Sequence, residues 1–400
     1  MTKTLKMRYS LLIILPIITL LAVACSPADS GKFDKEIAAV REKHITDKRL
    51  VYWDVNAVLK DGKIILSGST SSSEAFVDLE NMAKQNQLEF NAELLPQTKF
   101  AENPWAIVTL SVCNIRSQPS HAAEMLTQSI LGTPVKVYKE DDGWYLVQTP
   151  DQYFGWVDGA GIALKTLEEL ADWKTLNKVL YAKQSGLAYQ SNTVNSPVEF
   201  DLVLGDLLSV EETIGGFYKV ILPDGRSGFV STNDCISLDV WKEKSVSIEK
   251  LLQVAFSLKG VPYMWGGTSA KMMDCSGFTK TVFYMQGLIL QRDASQQTLY
   301  GELVDTSRGY EQLQPGDLLF FGRKASADQQ ERVTHVGFYT GNMKFIHESG
   351  KVRINSLDTA GEDYTEYYEK AFVRARRIIG NVDGQGIEWI TDNEFYKQIL

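Results

Sequence analysis

One pattern occurs twice in this chain, 73 residues apart with no gap in register, and it restricts the fold more than any other feature. Leu131-Gly132, Gly143-Trp144-Tyr145, Val147, Pro150-Asp151 and Gly155-Trp156-Val157 are matched by Leu204-Gly205, Gly216-Phe217-Tyr218, Val220, Pro223-Asp224 and Gly228-Phe229-Val230. Each copy is a series of short alternating apolar runs separated by Gly and Asp turns. That pattern predicts two small all-β units of the same design, at 105–165 and 178–240. The intervening 166–177 reads as a linking helix.

The flanks differ from the repeat. Lys3, Lys6 and Arg8 precede an apolar run from Leu11 to Ala24 that Pro16 interrupts and Cys25 follows. This is the pattern of an export leader over 1–24, too short and wrongly flanked to span a membrane. Residues 25–32 then read as a flexible tether. Over 33–104, a helix is expected at Lys35–Lys43, a strand from Arg49 to Leu59, and a turn at Asp61-Gly62-Lys63. A returning strand at Ile64–Gly68 and a capped helix from Ser71 to Gln85 complete a small α+β module. It carries no chemical constellation, and His44 is expected at its surface. A formal net charge of −9 without a basic stripe argues against nucleic acid as a partner.

Chemistry concentrates near Cys275. Asp274 precedes it, Ser276-Gly277 follows, and Phe278, Val282 and Met285 recur at helical spacing, which puts the thiol at a helix N-terminus. Unpaired N–H groups there favour a thiolate and can receive an oxyanion. Only two of the four histidines lie downstream: His335 in Thr334-His335-Val336-Gly337-Phe338-Tyr339 and His347 in Phe345-Ile346-His347-Glu348. Both segments read as strands, so Glu348 is expected to point away from His347. A helix-borne Cys facing strand-borne His is an arrangement for nucleophilic catalysis, with His335 as base and His347 orienting it. Metal-binding spacings such as C-x-x-C are missing, so neither metal nor other cofactor is inferred. Further strands are expected after Gln314-Pro315-Gly316-Asp317, at Val333–Tyr339, Lys344–Glu348 and Phe372–Ile378, with a helix at Ser247–Lys259. The C-terminal unit is bounded at 246–380, and the tail 381–400 stays unassigned except that Trp389 and Tyr396 point to packing. Cys113 and Cys235 read as buried small hydrophobes, although a cross-domain pair stays open.

Four blocks in order, Tyr263-x-Trp265-Gly266-Gly267, Asp274-Cys275-Ser276-Gly277, His335-Val336-Gly337-x-Tyr339 and Phe345-Ile346-His347, resemble the NlpC-type cell-wall cysteine peptidases. The repeated units resemble bacterial SH3-like barrels, and Cys25 resembles the lipidated cysteine of a bacterial lipoprotein. The implied architecture is multidomain α+β: the N-terminal module, two SH3-like barrels, and a papain-like peptidase domain.

The resemblance further implies that Tyr263, Trp265, Asp274, Ser276 and Ser295 face the substrate, and that Arg292–Gln297 lines the pocket. Glu124 and Tyr153 of the first barrel would bind a free substrate amino terminus. The second copy has Arg226 where the first has Tyr153. His121 reads as a solvated loop residue.

The implied activity is hydrolysis of the γ-D-glutamyl–diamino acid bond in peptidoglycan stem peptides with a free N-terminal L-Ala. The alternatives are cleavage of intact cross-linked wall, or a silent wall-binding lipoprotein. The third residue of the substrate, diaminopimelate or lysine, stays open. The chain would be exported and lipid-anchored to the bacterial envelope, facing the periplasm, with no protein partner inferred.

Overall fold

A computed structural model describes residues 30–400. The leader over 1–24, Cys25 with its expected lipid, and most of the tether lie outside the described residues. Among the described residues no helix is long and apolar enough to cross a membrane.

The first unit contains α1 (Asp34–His44), β1 (Trp53–Lys60), β2 (Lys63–Thr70), α2 (Ser73–Gln85) and β3 (Glu89–Leu94). Asp61 and Gly62 both take positive φ, 51° and 76°, which is what a two-residue hairpin turn between β1 and β2 requires. Ser72 accepts the N–H of Ala75 and so starts α2. β3, which the sequence does not announce, adds parallel to β2. Phe33, Ile37, Val55, Leu66 and Leu79 form the core between helices and sheet.

Two expectations change here. The first strand begins at Trp53 rather than Arg49, which leaves 46–52 as a loop free to reach elsewhere. His44 is half-buried rather than fully solvated: its side chain is 16% exposed and its Nε2 lies 2.7 Å from Asp78 Oδ2. The cause is the packing of α1 against α2, which carries Asp78.

The repeat is realised strand for strand. The first copy holds β4 (Trp105–Val108), β5 (Val112–Arg116), β6 (Met125–Ile130), β7 (Pro134–Asp141), β8 (Trp144–Gln148), β9 (Phe154–Asp158) and β10 (Ile162–Leu164). After α3 (Leu167–Thr175), whose Thr166 and Glu169 form a capping box, the second copy follows. It holds β11 (Asn177–Tyr181), β12 (Ser185–Tyr189), β13 (Val198–Val203), β14 (Leu207–Ile214), β15 (Phe217–Ile221), β16 (Ser227–Ser231) and β17 (Cys235–Ser237). The neighbour orders, β10-β4-β7-β8-β9-β5-β6 and β17-β11-β14-β15-β16-β12-β13, are the same path through seven strands. Val135, Val137, Val147 and Val157 fill the first interior, and Leu208, Val220 and Val230 the second. Cys113 and Cys235 are both free, one in each copy, so no bridge joins them.

The C-terminal unit has α4 (Ile248–Ser257) and α5 (Cys275–Tyr284) beside an antiparallel sheet of six strands. These are β18 (Glu302–Val304), β19 (Leu318–Arg323), β20 (Arg332–Gly341), β21 (Lys344–Ser349), β22 (Lys351–Ser356) and β23 (Phe372–Arg377), in the order β18-β23-β19-β20-β21-β22. Phe278 and Phe283 of α5 meet Phe338 at centroid distances of 5.7 and 5.3 Å, which seats the helix on one face. Phe321, Phe345, Tyr368 and Phe372 cover the other. The tail is ordered: Ile387–Trp389 pairs with Leu288–Leu290, and Phe395 packs edge-on against Trp105 of the first repeat at 5.6 Å. Thr268 adds hydrogen bonds to Gln128 Oε1 and O at 3.0 and 2.8 Å, so the first repeat and the C-terminal unit are fixed together.

Candidate active site

Cys275 is the first residue of α5, and Asp274 is its cap, with Oδ1 accepting the N–H of Gly277 at 2.8 Å. Gly277 is needed for a packing reason. A Cβ there would lie 2.0 Å from the carbonyl oxygen of Gly267, so a larger residue would push the helix start off the turn beneath it. Cys275 is buried, and the backbone N–H groups of Val336 and Ser276 point at its thiol. Val336 is the residue next to His335, which puts the helix tip alongside β20.

The two histidines form a directed relay. Asn355 Nδ2 donates to the carbonyl of Asp363 at 2.7 Å and to Thr365 Oγ1 at 3.2 Å, which fixes Oδ1 as the end turned to His347. His347 Nε2 lies 2.9 Å from that Oδ1 and must be the protonated nitrogen. Its Nδ1 is therefore an acceptor, 2.7 Å from His335 Nε2, which must donate. The chain of donors leaves His335 Nδ1 as a bare lone pair. Tyr368 stacks near both rings, at 5.9 and 4.8 Å, and holds their orientation.

Burial, and then the charge of Arg353, push His335 down to about 4. Burial and the neighbouring His335 push His347 down to about 3. Both rings are neutral at pH 7. Burial and then the Asp274 carboxylate push the Cys275 thiol up to about 12, against the opposing pull of Val336 N–H and Arg292. This departs from the sequence expectation of a thiolate favoured by the helix tip. The tip's N–H groups are present, but an enclosed sulfur beside a carboxylate outweighs them. The resting pair is thiol and imidazole.

Glu348 faces away from His347 as strand alternation requires. It is fully buried, and neither carboxylate oxygen has a hydrogen-bond partner among the described residues. Burial, followed by Asp274, pushes it up to about 8, so it is largely protonated at neutral pH.

Glu124, Tyr153, Tyr263, Trp265, Asp274, Cys275, Ser276 and Ser295 all line one cleft, and Thr334, the neighbour of His335, lines it too. Trp265 Nε1 donates to Glu124 Oε1 at 3.0 Å, closing the first repeat over the helix tip. Glu124 is exposed and keeps its other oxygen free. Tyr153 hydroxyl is 3.5 Å from Asp293 Oδ2. The matching Arg226 of the second copy instead pairs with Asp224 and donates to the carbonyl of Thr109, well apart from this cleft. His121 is a solvated loop residue, its side chain 77% exposed.

Asp274 is heavily engaged. Arg292 donates to Oδ1 at 3.1 Å and to Oδ2 at 2.6 Å, and Gly266 N–H and Ser276 hydroxyl add to the set. Burial raises this carboxyl, yet Arg292 with the N–H donors more than offsets that, and Asp274 ends below its ordinary range.

Three contributors are not named from sequence, Asn355, Asp47 and Arg49, whereas Asp293 falls within the expected pocket-lining run Arg292–Gln297. Asn355 has a readable signal, because Lys351-Val352-Arg353-Ile354-Asn355 alternates as a strand and puts Asn355 on the His347 face. Asp47 and Arg49 have none. They belong to the first unit, which was expected to hold no chemistry, and yet both line the cleft.

Residues 260–377 match the model of the NlpC/P60 family, and residues 115–162 match the bacterial dipeptidyl-peptidase Sh3 domain. A gamma-D-glutamyl-L-lysine dipeptidyl-peptidase of Bacillus cereus is 30% identical over 265 residues, covering 63% of this chain and 76% of that protein. Dipeptidyl-peptidase 6 of Lysinibacillus sphaericus is 26% identical over 264 residues, covering 63% and 92%. A crystal structure of an NlpC/P60 family protein from Bacillus cereus superposes with a TM-score of 0.59 at 24% identity, covering 69% of this chain and 99% of that one. That last likeness speaks to the fold.

Proposed function

The chain belongs to the NlpC/P60 family of peptidases, with an SH3-like domain beside the hydrolase domain, and from that premise we propose a specific reaction. It cuts the bond between γ-D-glutamate and the diamino acid of peptidoglycan stem peptides, acting on fragments whose L-Ala amino terminus is free. The dipeptidyl-peptidase names of two relatives support the bond and the release of a dipeptide. The observation that supports the mechanism is the Asn355–His347–His335 relay, which leaves His335 Nδ1 unprotonated on the strand whose next residue, Val336, turns its N–H to Cys275.

Cys275 Sγ attacks the γ-carbonyl carbon while its proton passes to His335 Nδ1, a meeting that substrate binding tightens. Backbone N–H groups at the start of α5 take the oxyanion. The C–N bond breaks, His335 gives its proton to the leaving amine, and a thioester remains. Water, deprotonated by His335, then releases the dipeptide and the thiol. No cofactor enters this scheme.

Specificity follows from where charge is free. A substrate ammonium needs an anionic partner in a partly enclosed site. Glu124 offers an unspent oxygen, whereas Asp274 already answers to Arg292, so Glu124 with Tyr153 takes the larger part and Asp274 the smaller. Tyr263 and Trp265 flank the peptide, and Ser276 and Ser295 stand at its edge. The expected result is that a free L-Ala-γ-D-Glu-diamino acid tripeptide is cleaved about a hundredfold faster, in kcat/KM, than its N-acetylated form. Glu124→Gln should erase most of that preference by slowing only the free peptide. Equal rates on both peptides by the wild type would remove the amino-terminus gate and favour cleavage of intact wall.

The same proposal divides the chain as 33–104, 105–165, 178–240 and 246–380, the second repeat being SH3-like in the manner of the first because its strand path is the same. Export and anchoring through a lipid on Cys25 complete the picture, motivated by the leader's charge and apolar run. Membrane fractionation of a Cys25→Ala variant tests it: the variant should move from the membrane pellet to the soluble fraction, and an unchanged distribution rejects the anchor.

A further inference from the structure

Three separate parts of the chain converge on one carboxylate at the edge of the cleft. Asp293 stands just before the short helix Ala294–Gln297 of the hydrolase domain. From the first repeat, Tyr153 hydroxyl lies 3.5 Å from Asp293 Oδ2. From the N-terminal three-stranded unit, Arg49 Nη1 donates to the same oxygen at 2.8 Å and to Ser295 Oγ at 2.9 Å. The rest of the Arg49 fork is held by Asp47, with Nε to Oδ1 at 2.7 Å and Nη2 to Oδ2 at 2.6 Å. Asp47 Oδ2 also accepts from Gln296 Nε2 at 3.0 Å. Four hydrogen bonds therefore run from this guanidinium to groups within the protein, out of five N–H donors.

The loop that carries Asp47 and Arg49 is itself fixed. Phe154 N–H donates to the Arg49 carbonyl at 3.0 Å, one residue from Tyr153. Tyr52 packs on Phe154 and Trp156, with ring centroids 6.3 and 6.4 Å away. Leu95, Leu146 and Tyr138 join that apolar patch, so the N-terminal unit is seated on the outside of the first repeat. Neither family match, at 115–162 or 260–377, reaches this unit. Its place at the cleft is read from Thr46, Asp47, Lys48 and Arg49, which line it in this structure.

We propose that residues 46–49 are a wall of the peptide cleft and that Arg49 is a specificity-determining positioning residue. A guanidinium spent on Asp47, Asp293 and Ser295 is a clamp rather than a ligand for substrate. Its effect is to hold Asp293 and Ser295 in place and to close the cleft at the Tyr153 end, where the peptide's amino terminus is taken to sit. A chain continuing past that terminus, as in a stem peptide still joined to glycan or capped with an acyl group, would have to pass through the wall. The N-terminal unit thereby narrows the enzyme to short free peptides. This rests on the reading of the cleft as the peptide site.

The test is steady-state kinetics of the full chain with the free tripeptide and with its N-acetylated form, for the wild type and for Arg49→Ala, Arg49→Lys and Asp47→Asn. Removing the clamp loosens the geometry of bound substrate while leaving the thiol and imidazoles in place. Arg49→Ala should raise KM for the free tripeptide about tenfold, with kcat changing far less. The preference for the free over the acetylated peptide should narrow by a similar factor. Arg49→Lys should recover little of either, because an ammonium does not reproduce the planar fork, and Asp47→Asn should shift both in the same direction. Melting temperatures measured alongside should stay close to that of the wild type. Unchanged constants in Arg49→Ala, or an equal loss on both peptides with a collapse in melting temperature, would overturn the wall. In that case a wild type that still prefers the free tripeptide leaves the proposed reaction standing. A wild type that ignores the tripeptide overturns both.

Discussion

Cys275→Ala will lose hydrolysis of the free tripeptide by about 10⁴-fold or more in kcat/KM, while the protein folds and melts as before. The size follows from the chemistry: a side chain that forms the covalent intermediate has no substitute, and the remaining rate comes from binding and the oxyanion N–H groups alone. Folding should be spared because Asp274, not Cys275, caps α5. His335→Ala should fall almost as far, and the double variant hardly further, since nucleophile and base act as one unit. The pH profile gives an independent check. His335 is pushed down to about 4 and works as the unprotonated base, so kcat/KM should rise through about pH 4 and be level well before neutrality. An ordinary imidazole would have put that acid limb near 6.5. Full activity in Cys275→Ala would end the nucleophile assignment, and an acid limb above pH 6 would end the reading of a neutral, enclosed base.

The parts of this site that were legible in the residues are those set by local pattern. Helical spacing after Cys275 puts it at a helix start, and two apolar β-rich segments put His335 and His347 on neighbouring strands. The 73-residue repeat predicts two alike β units, and the strand paths agree down to each of the seven strands. What was not legible depends on contacts between units. Arg49 and Asp293 are 244 residues apart, and no periodicity joins them. The upward push on the Cys275 thiol is not legible in the sequence for a related reason. The helix tip is a local feature that favours the thiolate, whereas the burial that overrides it comes from the cleft closing around the sulfur. His44 shows the same limit on a small scale: its sequence neighbours are polar, but α2 brings Asp78 to it.

Arg292→Ala should destabilise the hydrolase domain by about 3–5 kcal/mol, the cost of breaking a buried pair from one side. Arg292 and Asp274 side chains are 1% and 9% exposed, so water cannot replace what the guanidinium supplies. The same guanidinium donates Nη1 to Ser276 Oγ at 3.1 Å and Nε to Thr127 Oγ1 at 2.9 Å, the latter reaching into the first repeat. Its loss would strand a carboxylate that caps the nucleophile's helix and would cut a tie between the two domains. Asp274 would then respond by taking up a proton, which weakens its hold on the N–H of Gly277. Arg292→Lys should recover only part, because one ammonium cannot span both Asp274 oxygens. Asp274→Asn in the Arg292→Ala background should restore some stability, since the stranded charge is gone while a side-chain oxygen still caps α5. Calorimetric scans of the full chain read this directly. A drop in melting temperature of roughly 10 °C in the transition that carries the hydrolase domain is expected for Arg292→Ala. A shift of a degree or less, or a double variant that melts lower than the single one, would mean that Asp274 is not held ionised by Arg292. The nucleophile's helix would then owe its anchorage to packing alone.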